Sequence, residues 1–330
     1  MISRKELNEL YRNPAKPKDY DQIVQALCNK VFNNEEISLA EEQFVGGIIE
    51  QLRDKNNQRT FKIEDYENCV NYHFRSRYIR YVNDLNGHKE VMDYDGPIST
   101  VRKKKDVAFL QKTYEEWKVY LKDKTNGFRL INYVAQETNY QLKQLDKFAD
   151  KLKIGANYKE YLQKTLVLHG KYIYLLVAEF YQELGKDEEI IDLNGNRVLI
   201  DGFTYVHTMF RHFSSHIKQH QMQKSYHFDS NIGFKEIPYF LTDAIRSYTI
   251  LPESSSFDQR RIYFSYNSNP YAIWFRPFKK DLKGGKREEY LRAQTFYPIE
   301  NHQELSKLSD MVLLKGNSTF SFYHKTDSKK

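Results

Sequence analysis

The feature that most constrains this chain is a change in apolar rhythm at Gly185. Before it, apolar residues return every three or four positions over Asp19–Phe32, Leu39–Arg53, Ile63–Asn83, Asp106–Asp123, Phe128–Lys151 and Tyr158–Leu184. That is the period of helices with one buried face. Gly87–Ser99, with Asp93, Asp95, Gly96 and Pro97, reads as a loop. The run Arg102–Lys105 reads as a solvated helix start, the last two helices as an antiparallel pair, and Gly185 as a helix-ending glycine. After Gly185, Ile190–Leu193 and Val198–Ile200 flank Asn194-Gly195-Asn196, a hairpin signal. A helix is expected over Phe203–Gln221 and a shorter one near Glu236–Arg246, then strands at Arg261–Tyr266, Tyr271–Phe278 and Glu289–Ile299. The tail after His324 reads as disordered. The expected fold class is α+β. An all-helical N-terminal bundle, residues 1–185, precedes a small domain, residues 186–330, with a helix and an antiparallel sheet of three to four strands.

Charge follows the same division. Residues 1–195 hold 31 Lys and Arg against 31 Asp and Glu, whereas residues 196–330 hold 20 against 13 and carry the whole net +7. Such asymmetry points to a polyanionic partner for the second part. Cys28 and Cys69 form neither a disulfide framework nor a zinc knuckle and suit a reducing compartment. The first residues lack the apolar run of a secretion signal, and Leu166–Tyr181 is interrupted by His169, Lys171 and Glu179. A cytoplasmic protein with no membrane contact is expected.

Five of the ten histidines fall within His207–His227. On a helical wheel Phe203, Val206, Phe210, Phe213 and Ile217 make an apolar stripe. His207, Arg211, Ser214 and Lys218 border it on one side, and His212, His216 and His220 on the other. A metal ion shared by His212 and His216 would suit their spacing. Phe213, however, stands where a metalloprotease motif has Glu, and Asp201 and Asp229 are the only close carboxylates, so neither metal nor cofactor is expected. Metal-free phosphate chemistry fits better. RNA cleavage by 2′-OH attack needs a base, an acid and fixed positive charge; His serves the first two near neutrality and Arg the third. His207, Arg211 and His212 supply these groups, and the strands add Arg260, Arg276, Arg292, Thr295 and Tyr297.

The order His207-x-x-x-Arg211-His212, then Ile237-Pro238 opening a short helix, then strands ending Leu291-Arg292-Ala293-Gln294-Thr295-Phe296-Tyr297-Pro298, resembles the barnase–EndoU–colicin–RelE-like nucleases of phages and mobile elements. The resemblance covers about residues 188–299. It implies a metal-independent endoribonuclease of toxin, defence or mobile-element type, with His207 or His212 on the helix, Arg276 on a strand, and Thr295 with Tyr297 on a late strand as catalytic groups. Arg211 joins them as a fixed cation. Lys218, Arg260, Trp274, Lys279, Lys280 and Arg292 are the expected RNA-binding residues. The N-terminal helices would position the domain or bind an inhibitor or partner protein. Two other readings remain at this stage. One is a non-catalytic nucleic-acid or phage-component binder using the basic sheet with Tyr263, Tyr266, Trp274 and Phe278. The other is an assembly protein using the helices within residues 128–184.

Overall fold

A computed structural model describes residues 1–12, 20–33, 35–48, 56, 92–93, 96–97, 100–123, 129–213, 232, 234–282 and 284–325. The helix expected over Ile63–Asn83, the second half of Phe203–Gln221, Cys69, Lys218, His216, His220 and His227 lie outside them. The chain forms two compact units: residues 1–120 with 153–168, and residues 121–152 with 169–330. This division differs from one at 185. The second unit takes in 121–152 and 169–184, which the sequence grouped with the N-terminal helices.

In the first unit α1 (Arg4–Arg12), α2 (Tyr20–Phe32) and α3 (Leu39–Ile48) enclose a small core of Leu7, Val24, Leu27, Cys28, Val31, Phe44 and Val45. Burial pushes the Cys28 thiol up to about 11, so it behaves as a small apolar side chain. Within the stretch read as a loop, β1 (Met92–Asp93) and β2 (Gly96–Pro97) form a two-residue ladder. The helix α4 (Thr100–Lys122) follows.

The second unit is α+β. Its helix α5 (Arg129–Leu152) buries Ile131, Val134, Glu137, Thr138, Gln141, Leu145 and Ala149 along one face. The later residues of α6 (Ala156–Leu184) belong to the same unit. Gly185, at φ +67°, ends α6 in the left-handed region. The hairpin appears as expected: β3 (Glu188–Leu193) and β4 (Asn196–Asp201) turn through Asn194 and Gly195, both at positive φ. Then come α7 (Gly202–Thr208), continued by a π-helical turn (Met209–Phe213), and α8 (Ile237–Thr249). The strands β5 (Arg261–Tyr266), β6 (Asn269–Asp281) and β7 (Arg287–Pro298) follow. Beyond them lie α9 (His302–Ser309), β8 (Met311–Lys315) and β9 (Phe320–Lys325).

The expectation of a three- to four-stranded antiparallel sheet is corrected. Seven strands pair in the order β3-β4-β7-β6-β5-β9-β8, and β4 runs parallel to β7. The hairpin before the helix joins this sheet, and β8 with β9 extends its other side through pairing of β9 with β5. The parallel contact is short, Val198 opposite Leu291 and Leu199 opposite Arg292. At Asp201 the chain leaves the sheet, and α7 lies along the part of β7 that β4 does not reach. There the Thr204 hydroxyl donates to the Ala293 carbonyl at 2.6 Å. A helix thus covers a strand edge that would otherwise expose unpaired backbone groups.

Strand alternation divides the sheet into two faces. Tyr271, Ile273, Phe264, Phe296 and Phe322 make the apolar face, where Phe240 of α8 meets Phe264, Tyr271 and Phe296 and Tyr248 meets Phe322. Ala272, Trp274, Arg276 and Phe278 share the other face with Tyr297, Thr295, Arg292 and Tyr290 of β7, the register shifting at a bulge after Trp274. This second face carries the polar chemistry. Among the described residues no helix is long and apolar enough to cross a membrane.

Candidate functional site

Because α7 and its π turn lie beside a strand edge, successive side chains reach opposite faces of the sheet. Phe213 stacks on Phe296 of the apolar face, with centroids 5.1 Å apart, while His212 stacks on Tyr297 of the other at 5.7 Å. Of the expected apolar stripe Val206, Phe210 and Phe213 are buried, whereas Phe203 is half-buried and lies between Arg292 and His207, and Ile217 falls outside the described residues. The π turn changes one relationship. In an α-helix, residues five apart sit about 140° apart around the axis, which put His207 and His212 on opposite borders. A π turn, with its i to i+5 bonding, brings residues five apart toward the same side, much as residues four apart are in an α-helix. The two imidazoles have centroids 6.1 Å apart.

Glu137 on α5 lies behind His207. Its Oε1 is 2.9 Å from His207 Nδ1, and its Oε2 accepts from Arg211 Nε at 2.8 Å. Burial favours the neutral carboxyl. The hydrogen bonds from His207 and Arg211, with their charges, outweigh burial and hold the Glu137 carboxyl below its ordinary value. An ionised carboxylate only accepts, so Nδ1 carries the proton. In the neutral ring, Nε2 then keeps its lone pair, the form of a general base. Arg211 is pinned further by the Tyr140 ring, 3.7 Å from its guanidinium carbon.

Tyr297 is a platform more than a reagent. Its hydroxyl accepts from Trp274 Nε1 at 2.8 Å and donates to Glu304 at 3.1 Å. Burial first, and then the Glu304 carboxylate, raise its pKa, so it stays a phenol. Trp274 also carries the Arg261 guanidinium 3.8 Å over its ring. Arg276, the expected neighbour of Trp274, is exposed on the same face and stands outside this stack. Thr295, opposite Trp274, has a buried hydroxyl without a hydrogen-bond partner among the described residues.

Arg292 is buried and committed. Its Nη2 bonds to Asp201 Oδ2 at 2.8 Å and to Tyr133 Oη at 3.2 Å, and its guanidinium lies 3.5 Å from the Phe278 ring centre. Asp201 Oδ1 meanwhile accepts from Thr204 N, capping α7. Phe203 links this node to the histidines: its ring is 5.0 Å from the Arg292 guanidinium and stacks on His207 at 5.1 Å.

The structure therefore gathers His207, Arg211, His212, Tyr297, Thr295 and Trp274 in one region, with Arg292 one aromatic ring away. Arg276 is the cross-strand neighbour of Arg292. Arg260 is exposed just before β5, Lys279 pairs with Glu289, and Lys280 pairs with Glu188. Sequence reasoning missed Glu137, Phe203 as a spacer, Glu304 and Asp201 as the partner of Arg292. For Glu137 a signal existed: polar Glu137, Thr138 and Gln141 interrupt the apolar stripe of α5 where Leu or Val would be expected. Among the described residues no three His, Cys, Asp or Glu side chains gather as a metal site. The chain matches no protein-family model, no curated protein and no solved structure.

Proposed function

We propose that the second unit is a metal-independent endoribonuclease that cleaves by attack of the 2′-OH. The observation that carries this reading is His207, oriented from behind by Glu137, with His212 6.1 Å away. In this account His207 Nε2 takes the 2′-OH proton, and the oxygen attacks the adjacent phosphorus. His212, protonated and set on Tyr297, gives its proton to the departing 5′-oxygen. Arg211 contributes fixed positive charge beside the developing phosphorane. A pair of imidazoles suits a step that needs base and acid together, because this side-chain type can serve in either role. The excess of cations after residue 195 supports a polyanionic substrate.

The test is the chemistry of the product ends. Incubated with the full chain, RNA should yield 2′,3′-cyclic phosphate and 5′-hydroxyl ends, while DNA of the same sequence stays intact. Cleavage of DNA at a similar rate, or 5′-phosphate products, contradicts 2′-OH attack.

A further inference from the structure

The seven-stranded sheet ends on β3 at one side and on β8 at the other. The β3 edge carries Glu188 and Asp192, charges of the kind that keep an exposed edge from pairing. The β8 edge reads Met311-Val312-Leu313-Leu314-Lys315, with four apolar residues in a row. Val312 is 44% and Leu313 50% exposed. The backbone of β8 is half satisfied. Gly316 N–H donates to the Phe320 carbonyl at 3.0 Å, and hydrogen-bonded pairs recur at every second residue of an antiparallel ladder. Val312 and Leu314 therefore bond to β9, whereas the N–H and C=O of Met311, Leu313 and Lys315 point away from it. Among the described residues β8 pairs with β9 alone. The side chains divide between the two faces. Leu313 prolongs the row Tyr323, Tyr263, Ala272 and Tyr297 of the polar face, and Leu314 prolongs the row Phe322, Phe264 and Tyr271 of the apolar face.

We propose that β8 is the interface through which two copies of this chain form a symmetric dimer, strand against antiparallel strand, with the Leu313 residues of the two copies facing each other. A strand edge is matched by another strand, because an extended backbone presents donors and acceptors at the same spacing. A second β8 completes this one. The outward residues are centred on Leu313, so a two-fold axis there sets Leu313 against itself and Met311 against Lys315. Every outward N–H and C=O then gains a partner. Moving the axis by one residue along the strand leaves Lys315 or Met311 without one. With the axis at Leu313, Val312 lies opposite Leu314 on the apolar face and the Leu313 pair closes the other. Apolar thus meets apolar on both faces, and no like charges stand directly opposite. The axis is perpendicular to the sheet, so the histidine sites of both copies lie on the same side of one continuous sheet. The dimer rests on the strand edge alone and stands apart from the cleavage reading.

The experiment is sedimentation velocity of the full chain, freed of bound nucleic acid, over a range of concentrations beside Leu313→Lys and Leu313→Glu. Leu313 is half exposed and its N–H faces outward, so either variant should fold as a monomer, which circular dichroism checks. The parent should sediment at twice the 39.5 kDa chain mass. Each variant alone should dimerise about a hundredfold more weakly, because the axis sets its new charge against a like charge. Mixed in equal amounts, the two variants should recover the dimer, with opposite charges now facing each other. Leu313→Pro removes the outward N–H, leaves the bonds to β9 intact and should also be monomeric. A parent that stays monomeric leaves the edge to a strand of another protein and overturns the proposal, as does a parent that grows beyond the dimer. Variants that dimerise as the parent does place the interface elsewhere. A mixture no more dimeric than its components denies that Leu313 faces itself, and either result also overturns the proposal.

Discussion

The imidazole of His212 lies over the ring of Tyr297, centroid to centroid 5.7 Å at an interplanar angle of 29°. The stack exists because a π turn beside the free edge of β7 directs His212 to one face of the sheet and Phe213 to the other. With the Tyr297 hydroxyl already bonded to Trp274 and Glu304, its ring is what the site uses. Tyr297→Phe should therefore retain most of the cleavage rate while losing about 1–3 kcal/mol of stability from the stranded partners. Tyr297→Ala should lose rate as well. Single-turnover kinetics and urea unfolding measure the two effects separately, and a Phe variant as slow as the Ala variant would restore a catalytic role to the hydroxyl.

Glu137 is expected to act through His207. In Glu137→Gln a single acceptor oxygen remains; Arg211, which can only donate, takes it, and the amide NH2 turned to His207 Nδ1 favours the other tautomer of the ring. The cleavage rate should fall by about 10²-fold or more, while affinity for a fully 2′-O-methylated oligonucleotide, which lacks the attacking hydroxyl, should be little changed. Stability should fall by about 2–3 kcal/mol, since Arg211 keeps some access to water.

The same carboxylate predicts a direction with pH. Glu137 is held below its ordinary 4.5 in the folded chain by the hydrogen bonds and charges of His207 and Arg211. Its contribution is fully present above that ordinary value and is lost as pH falls through the lower folded value. Stability followed by urea unfolding should decline in acid from about pH 4.5 downward, and this part of the decline should be shallower in Glu137→Gln.

Asp201 serves two bonds that substitution can separate. Asp201→Asn keeps a good helix cap but removes the charge that Arg292 faces, and should cost about 3 kcal/mol. Asp201→Ala loses both and should cost about 1 kcal/mol more. Thermal unfolding of the two variants gives the comparison; equal losses would mean that the cap contributes nothing.

Gly170 on α6 sets the approach of α5. A Cβ at Gly170 would lie 2.6 Å from Thr138 Oγ1, against branched atoms that have little freedom to turn away. Alanine favours the helix by about 1 kcal/mol, but the overlap costs about 1–3 kcal/mol, so Gly170→Ala should destabilise. In a Thr138→Ala background the overlap is gone and Gly170→Ala should become neutral or stabilising, a coupling that a double-mutant cycle reads directly.

Local signals in the sequence carried well. Gly185 ends α6, Asn194-Gly195 makes the hairpin, and the stripe Val206, Phe210, Phe213 is buried. What did not show depends on distant partners or on a change of helical pitch. Nothing in the strand Arg197–Ile200 announces a parallel pairing with Leu291 and Arg292, about ninety positions later. The strands β8 and β9 are short, and their pairing with β5 cannot be read from Met311–Lys315 alone. A wheel drawn at constant α-helical pitch separates His207 from His212, and no residue between them marks the π turn. Glu137 was visible only as a polar residue in an apolar stripe, a sign of burial that did not name its partner.

Whether His207 and His212 cleave RNA without a metal is decided by incubating the full chain with RNA in EDTA beside His207→Ala and His212→Ala. The full chain is required because residues 121–152, which carry Glu137, belong to the same compact unit as the sheet. Cleavage should persist in EDTA and fall by roughly 10²–10⁴-fold in each variant, with both variants folded by circular dichroism. Cleavage abolished by EDTA, or undiminished in both variants, would contradict metal-free cleavage by this pair.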